Sequence, residues 1–203
     1  MVYGSTPRLM RLANLLLGRL PGGLGAAGSL GCGFFGAISG SGVATTASIG
    51  AIVAPEMVRQ GYDKGFTASL IAASGTLGLV IPPSVCMVVY AQNAGVSIGS
   101  MFLAGFIPGF IAVFLLGGLS VVVAIRRNYK GERVAVSTVK DVIMVVLDAL
   151  LPLLMPVIIL GGVLSGMFTP TESATIATVY AFLLAKFVYK EITWKQLYRT
   201  LVD

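Results

Sequence analysis

Ile38-Ser39-Gly40-Ser41-Gly42, followed by Gly75-Thr76-Leu77-Gly78-Leu79-Val80-Ile81-Pro82-Pro83-Ser84, is the pair of stretches whose reading decides the fold. Each interrupts a run apolar enough for a membrane with residues that should not continue a helix. In hydrocarbon a free backbone N–H or C=O costs several kcal/mol, so a broken helix survives there only against protein or a polar cavity. Two such breaks close together point to the ion and substrate site of a secondary transporter, where freed carbonyls and half-helix termini supply the ligands.

Working outward, the composition agrees. Of the 203 residues 56% are apolar and 11% charged, with a mean hydropathy of +0.92, whereas a soluble domain carries roughly 25% charge. Between Gly65 and Ile125, about sixty residues, there is no Asp, Glu, Lys or Arg, far more than the ~20 that span a bilayer. This is a multi-pass, all-α membrane protein. The formal charge of +6 is carried in short clusters between apolar segments, as in cytoplasmic loops. No basic face with interleaved aromatics is present, which argues against nucleic acid. There is no His, and Cys32 and Cys86 have no carboxylate nearby, so neither a zinc nor a haem site can be assembled. Both cysteines read as small buried hydrophobes, and Tyr90 as a packed aromatic. No activated nucleophile or paired carboxylates point to an enzyme.

In chain order, residues 1–23 are expected to form an interfacial amphipathic helix, with Arg8, Arg11 and Arg19 in the headgroups, rather than a cleavable secretory signal. Residues 24–60 read as a re-entrant hairpin of two short helices with its tip at Ser39-Gly40-Ser41-Gly42, the second helix leading into Pro55. Residues 61–127 hold a turn at Gly61-Tyr62-Asp63-Lys64, a crossing broken at Pro82-Pro83, and a full crossing bent at Pro108-Gly109. Residues 128–148 are predicted as a cytoplasmic loop and a surface helix over 134–148. Residues 149–190 make two transmembrane helices, the second opened by the capping box Thr169-Pro170-Thr171-Glu172. Residues 191–203 begin another interfacial helix. Returning the hairpin to its side of entry places every Lys and Arg in the cytoplasm or at its interface. An ordinary crossing there would put Arg59 and Lys64 outside.

The chemistry read from these breaks is that of a hard cation held by uncharged oxygens. Ser39 and Ser41 offer hydroxyls and carbonyls at the tip, and Thr76, Gly78 and Ile81 offer carbonyls beside the prolines. With no carboxylate or lysine there, proton coupling through a side chain is disfavoured. The plainer alternative is a Ser-Gly-Ser turn and a Pro-Pro kink, with small residues serving helix packing. The same choice applies to Gly25, Gly28, Gly31 and Gly36, where packing within one subunit is preferred to dimerisation. Ser84 is expected to cap the helix that follows it, and that N-terminus would also welcome an anionic substrate.

The motifs Ile38 to Gly50, Arg59-Gln60-Gly61-Tyr62-Asp63, Gly75-Thr76-Leu77-Gly78 through Ile81-Pro82-Pro83-Ser84, Phe102-Leu103-Ala104-Gly105 with Ile107-Pro108-Gly109, and Pro170-Thr171-Glu172-Ser173 together resemble the large membrane subunit of TRAP transporters (tripartite ATP-independent periplasmic, DctM-like). They match in order over nearly the whole chain. The resemblance implies a sodium-coupled importer of organic acids in the bacterial inner membrane, built as one inverted repeat of an elevator-type fold. Its implied partners are a small membrane subunit and a periplasmic substrate-binding protein; sodium is the coupling ion, and no other cofactor is implied. Carried onto this chain, the sodium site falls on Ser39, Ser41, Gly78 and Pro82, with Thr76 and Ile81 beside them. Ser84 and Thr45 are the candidate substrate-side residues. Many members have Asp where Thr45 stands and Ser where Gly42 stands. The family's large subunit is about twice this long, with an inverted second repeat, so the chain is expected to be a fragment or a truncated product. The rival functions are a sodium–carboxylate transporter without a binding protein and a membrane segment with a structural role only.

Overall fold

The computed structural model describes residues 5–129 and 139–190. Among them every regular element is a helix: α1 (Ser5–Leu17), α2 (Gly23–Ser39), α3 (Gly42–Arg59), α4 (Lys64–Gly75), α5 (Leu77–Val80), α6 (Val85–Ala94), α7 (Ile98–Arg126), α8 (Val139–Leu164) and α9 (Pro170–Leu183), with a π-helical turn at Leu184–Val188. Three stretches are long and apolar enough to cross a membrane, Ile98–Arg126, Lys140–Leu164 and Pro170–Val188. A fourth, Lys64–Val80 with Val85–Ala94, is bent by 46° at its break.

The packing is that of a protein in lipid. Along α7 the buried residues are Phe102, Gly105, Gly109, Val113, Gly117, Ser120 and Ala124, spaced by three or four and mostly small. Its open face carries Leu103, Ile107, Phe110 and Phe114, all more than half exposed. A soluble helix would bury the large residues and expose the small. Lipid tails give no driving force for burying Leu over Gly, so small residues go where backbones approach and large ones face the chains.

The centre of the bundle is α2, which packs on α1, α3, α4, α5 and α7. Its sequence, GLGAAGSLGCGFFGAIS, is a poor helix former, since each internal Gly costs ~1 kcal/mol relative to Ala. Close contact offsets that cost. A Cβ on Gly36 would lie 2.8 Å from Gly78 Cα and 3.0 Å from Gly78 N, and one on Gly28 would lie 3.0 Å from Val53. These glycines, with Gly25 against Ser120 and Gly31 against Met10, serve packing within one chain, as expected. α2 ends on Gly40 in the left-handed region (φ 60°), whose N–H bonds Gly36 O at 2.8 Å. The chain turns at Gly40 and Ser41 and α3 runs back along α2, so that Gly28 meets Val53 and Gly31 approaches Ile49. This is a helical hairpin. α3 continues through Pro55 to Arg59 rather than stopping before the proline; the Glu56 carboxylate, bonded by Arg59 Nε at 2.9 Å and Gln60 Nε2 at 2.9 Å, braces its last turn.

At the base of the hairpin, Gly61 adopts φ 84° and Asp63 caps α4 through Phe66 N at 2.8 Å. Tyr129, just beyond α7, locks this corner. Its ring lies 4.4 Å from that of Tyr62, and its hydroxyl accepts from Asp63 N at 3.1 Å. Arg127 and then the Asp63 amide hold the Tyr129 phenol below its ordinary pKa. At the far side, Arg8 of α1 sits over the Tyr189 ring, 3.6 Å from its centroid, while Tyr189 donates to Asp148 O at 3.0 Å. The capping box at Thr169 and Glu172 is complete.

Two expectations change. Of the surface helix expected over 134–148, residues 139–148 belong instead to one uninterrupted helix that reaches Leu164. Nothing between Val139 and Leu151 breaks it, and Lys140, Asp141 and Asp148 occupy its first turns. Residues 130–138 and the proposed interfacial helix at 191–203 lie outside the described residues. α7 passes Pro108 as one helix, the single crossing expected there. Cys86 and Tyr90 are not packed; Tyr90 is 61% exposed and Cys86 is exposed, because α6 buries only its Met87 and Ala91 side.

Gly36→Ala is expected to destabilise the protein by about 1–3 kcal/mol, since neither backbone can yield. Gly118→Ala, with nothing within 4 Å of its Cβ, should be neutral. Denaturant unfolding in detergent micelles compares the two.

Candidate functional site

The hairpin tip rests on the break between α5 and α6. Val85 N donates to Gly40 O at 3.4 Å, and a Cβ on Gly40 would lie 3.1 Å from Pro83 O. The Pro82-Pro83 peptide is cis. Two sets of carbonyls without their usual helical donors meet here. Pro82 and Pro83 have no N–H to give to Gly78 O and Leu79 O one turn earlier. On the tip, Ser41 N turns to Ser39 Oγ at 3.3 Å instead of continuing the helical ladder to Ala37 O.

Around this junction two side chains and one backbone amide converge on one carbonyl. Ser41 O accepts from Thr45 N at 3.0 Å, from Thr45 Oγ1 at 2.7 Å and from Ser39 Oγ at 3.3 Å. The hydroxyls of Ser39 and Thr45 are themselves 3.0 Å apart. Ser41 Oγ is used differently: it accepts from Ala44 N at 3.3 Å and caps α3. Gly78 closes the group from α5, where a Cβ would lie 2.5 Å from Thr45 Oγ1 and 2.7 Å from Ser41 O. The result is a compact set of neutral oxygens, with only glycine able to stand at its open side.

The sequence-derived residues separate on this geometry. Ser39, Ser41 and Gly78 come together. Thr45, read from sequence as substrate-side, is fully buried and belongs to the same hydroxyl group. Pro82 is buried and acts through its missing donor. Ile81 is placed by its backbone, N bonded to Leu77 O at 2.8 Å, while its side chain packs on Gly109. Thr76 is exposed, with its hydroxyl on Ala73 O at 2.7 Å and its carbonyl accepting from Leu79 N at 2.9 Å. It lines a second, more apolar cavity of about 510 Å³ on the other flank of the tip with Ser41, Val43, Thr46 and Leu79.

Ser84 departs from expectation. It holds the N-cap position of α6 in extended conformation, yet its side chain makes no capping bond. Its Oγ is buried with no hydrogen-bond partner, in a residue only 2% exposed. An orphaned buried hydroxyl costs about 1–3 kcal/mol, so it marks a place where a polar group from outside the chain would be welcome. Ser84 lines a cavity of about 200 Å³ between the hairpin tip and the far helices. Phe102, Ile159, Pro170 and Ala174 form its opposite wall. Sequence reasoning missed that wall. The Thr169–Glu172 capping box was visible, but nothing local said that its helix start lies across from Ser84.

The DctM model, described as the tripartite ATP-independent periplasmic transporter, DctM component, matches residues 1–203. The chain is 42% identical over 200 residues to the isethionate TRAP transporter permease protein DctMQ of Oleidesulfovibrio alaskensis, covering 98% of this chain and 31% of that protein. It is 42% identical over 199 residues to the C4-dicarboxylate TRAP transporter large permease protein DctM of Vibrio cholerae, covering 93% and 41%. With the ectoine TRAP transporter large permease protein TeaC of Halomonas elongata it shares 36% over 194 residues, covering 96% and 45%. The chain thus spans less than half the length of these relatives.

Two substitutions separate the engaged hydroxyl from the orphaned one. Thr45→Val should destabilise the ligand-free protein by about 1–2 kcal/mol by removing a donor from Ser41 O. Ser84→Ala should be neutral or slightly stabilising, because its hydroxyl has no bond to lose. Thermal unfolding of the two variants side by side checks the contrast.

Proposed function

We propose that this chain, which belongs to the DctM component family of tripartite ATP-independent periplasmic transporters, forms part of the ion and substrate path of a sodium-coupled importer of organic acids. The observation that carries the reading is the convergence of Ser39, Thr45 and Ser41 O beside Gly78, at a hairpin tip seated on a helix broken by two prolines. Bound sodium supplies the positive charge of this arrangement and nothing else. Oxygens without formal charge suit a monovalent hard cation that must also leave.

Each residue then has a role. Ser39 and Thr45 present hydroxyl oxygens whose protons rotate, so each can switch from donating to Ser41 O to offering a lone pair. The Ser41 carbonyl, held by the first turn of α3, is the fixed member. Gly78 leaves room, and Pro82 and Pro83 keep the carbonyls of Gly78 and Leu79 free of helical donors. On the other flank, the orphaned Ser84 hydroxyl and the N-terminus of α6, which has no side-chain cap, face the cavity. Helix N-terminal N–H groups favour negative charge, which fits a substrate carboxylate. Relatives named for isethionate and C4-dicarboxylate support an organic acid. In this reading the chain works in the bacterial inner membrane with a small membrane subunit and a periplasmic substrate-binding protein, and the rest of the transporter completes the site.

In the complete transporter, Ser39→Ala with Ser41→Ala should lower apparent sodium affinity in uptake by about tenfold or more, the scale of a lost bond to a charged group. Unchanged sodium dependence of uptake would sink the assignment.

A further inference from the structure

A second cavity lies at the opposite end of the hairpin, away from the tip. It has a volume of about 230 Å³ and is enclosed by α1, the start of α2 and the last turns of α3. Met10, Ile52 and Val53 make its apolar floor, and Arg11, Asn14 and Glu56 stand among its walls. Arg11 and Asn14 are three residues apart on α1 and so share a face.

The charges in this cavity are unevenly used. The Glu56 carboxylate is occupied by the Arg59 guanidinium, with Nε at 2.9 Å and Nη2 at 2.6 Å, and by Gln60 Nε2 at 2.9 Å. Among the described residues, Arg11 takes part in no hydrogen bond, ion pair or ring contact, and the Asn14 side chain is likewise unengaged. Arg8, one turn earlier on the same helix, is by contrast seated on Tyr189. Arg11 is exposed, yet its side chain borders an apolar recess rather than open water. Arg126 and Arg127 close α7 at the same end, where Gly22 touches Ser120 and Ala124 of that helix, and the Arg127 charge there is balanced by Asp63 at 3.8 Å.

We propose that this cavity is a binding site for an anionic glycerophospholipid. The lipid phosphate accepts from the Arg11 guanidinium, whose planar fork matches phosphate oxygens, and from the Asn14 amide. The glycerol and first acyl carbons lie on Met10, Ile52 and Val53. The cavity is too small for a whole lipid, so the remaining chain stays in the bilayer. Charge complementarity selects an anionic headgroup, because the one carboxylate in the wall is already neutralised by Arg59 and the Arg11 guanidinium is left as the cavity's unbalanced charge. A lipid held there would wedge α1 against the base of the hairpin.

The test is retention of defined lipids by the full-length protein, delipidated in detergent and followed by native mass spectrometry. Phosphatidylglycerol should be retained about fivefold better than phosphatidylcholine, the factor that one arginine near an anionic surface is worth. Arg11→Ala should abolish that preference and Asn14→Ala reduce it, whereas Arg19→Ala, outside the cavity, should keep it. Equal retention by Arg11→Ala and the unaltered protein, both folded by their melting temperature, would overturn the proposal. Displacement of phosphatidylglycerol by inorganic phosphate at equal concentration would make this a soluble-anion site instead. A photocrosslinker placed at residue 14 in intact membranes should capture lipid; capture of a polypeptide would assign the cavity to a protein partner and also overturn it.

Discussion

The approach of two backbones, Gly36 of α2 and Gly78 of α5, is the constraint on which the centre of this molecule depends. No side chain stands between them, and none could without moving one helix. That contact fixes the distance from the hairpin to the broken helix, and thus where the tip meets Pro83 and Ser84. Ser41 O can gather Thr45 and Ser39 beside Gly78 only because the α5 backbone comes this close. A Cβ at either glycine would separate the tip from the break and disperse the oxygens. In a bilayer, where burying a larger apolar side chain gains little, such close packing is how helices hold one another.

The electrostatic design of the junction follows from its depth. An ionised side chain in the middle of the membrane is expensive, and the stretch from Gly65 to Ile125 contains none. Local negative potential must therefore come from dipoles: carbonyls released by prolines and a helix end, and hydroxyls that reorient. Positive potential comes from the start of α6, which has no side-chain cap. Opposite partial charges thus lie on the two flanks of one tip without any formal charge being buried.

Much of this was legible in the sequence because it was written in local signals. Ser39-Gly40-Ser41-Gly42 and Pro82-Pro83 announce their breaks through φ preference and missing donors, Gly61 its turn, and Thr169 to Glu172 its helix start. Contacts between distant segments were not legible. Ser84 has the residue type and position of a cap, but the tip supplies Gly40 O to the first N–H of α6 and the hydroxyl is left free. Thr45 looked like a substrate contact and lies within the hydroxyl group because α3 turns that face inward. Thr76 turns its hydroxyl back onto Ala73 O and borders the Ser41 flank of the tip rather than the Ser39–Thr45 hydroxyls, a placement no local signal gave. Cys86 and Tyr90 were judged by apolar context, which in a membrane protein says nothing about whether a residue faces protein or lipid.

The contact of Arg8 with the Tyr189 ring bears on the order of assembly. It joins the first described helix to the turn that ends the last, and Tyr189 in turn bonds the backbone of α8 at Asp148. A chain made from its N-terminus can form the α2–α3 hairpin and seat it on the break before α8 exists. The seam between α1 and α8 has to wait until α8 has emerged, and the Arg8 contact until Tyr189 has, so α1 remains without those neighbours while most of the core is built. The central junction and the peripheral seam are therefore separate events in synthesis, the first made by near neighbours in sequence and the second by nearly the whole described length of the chain.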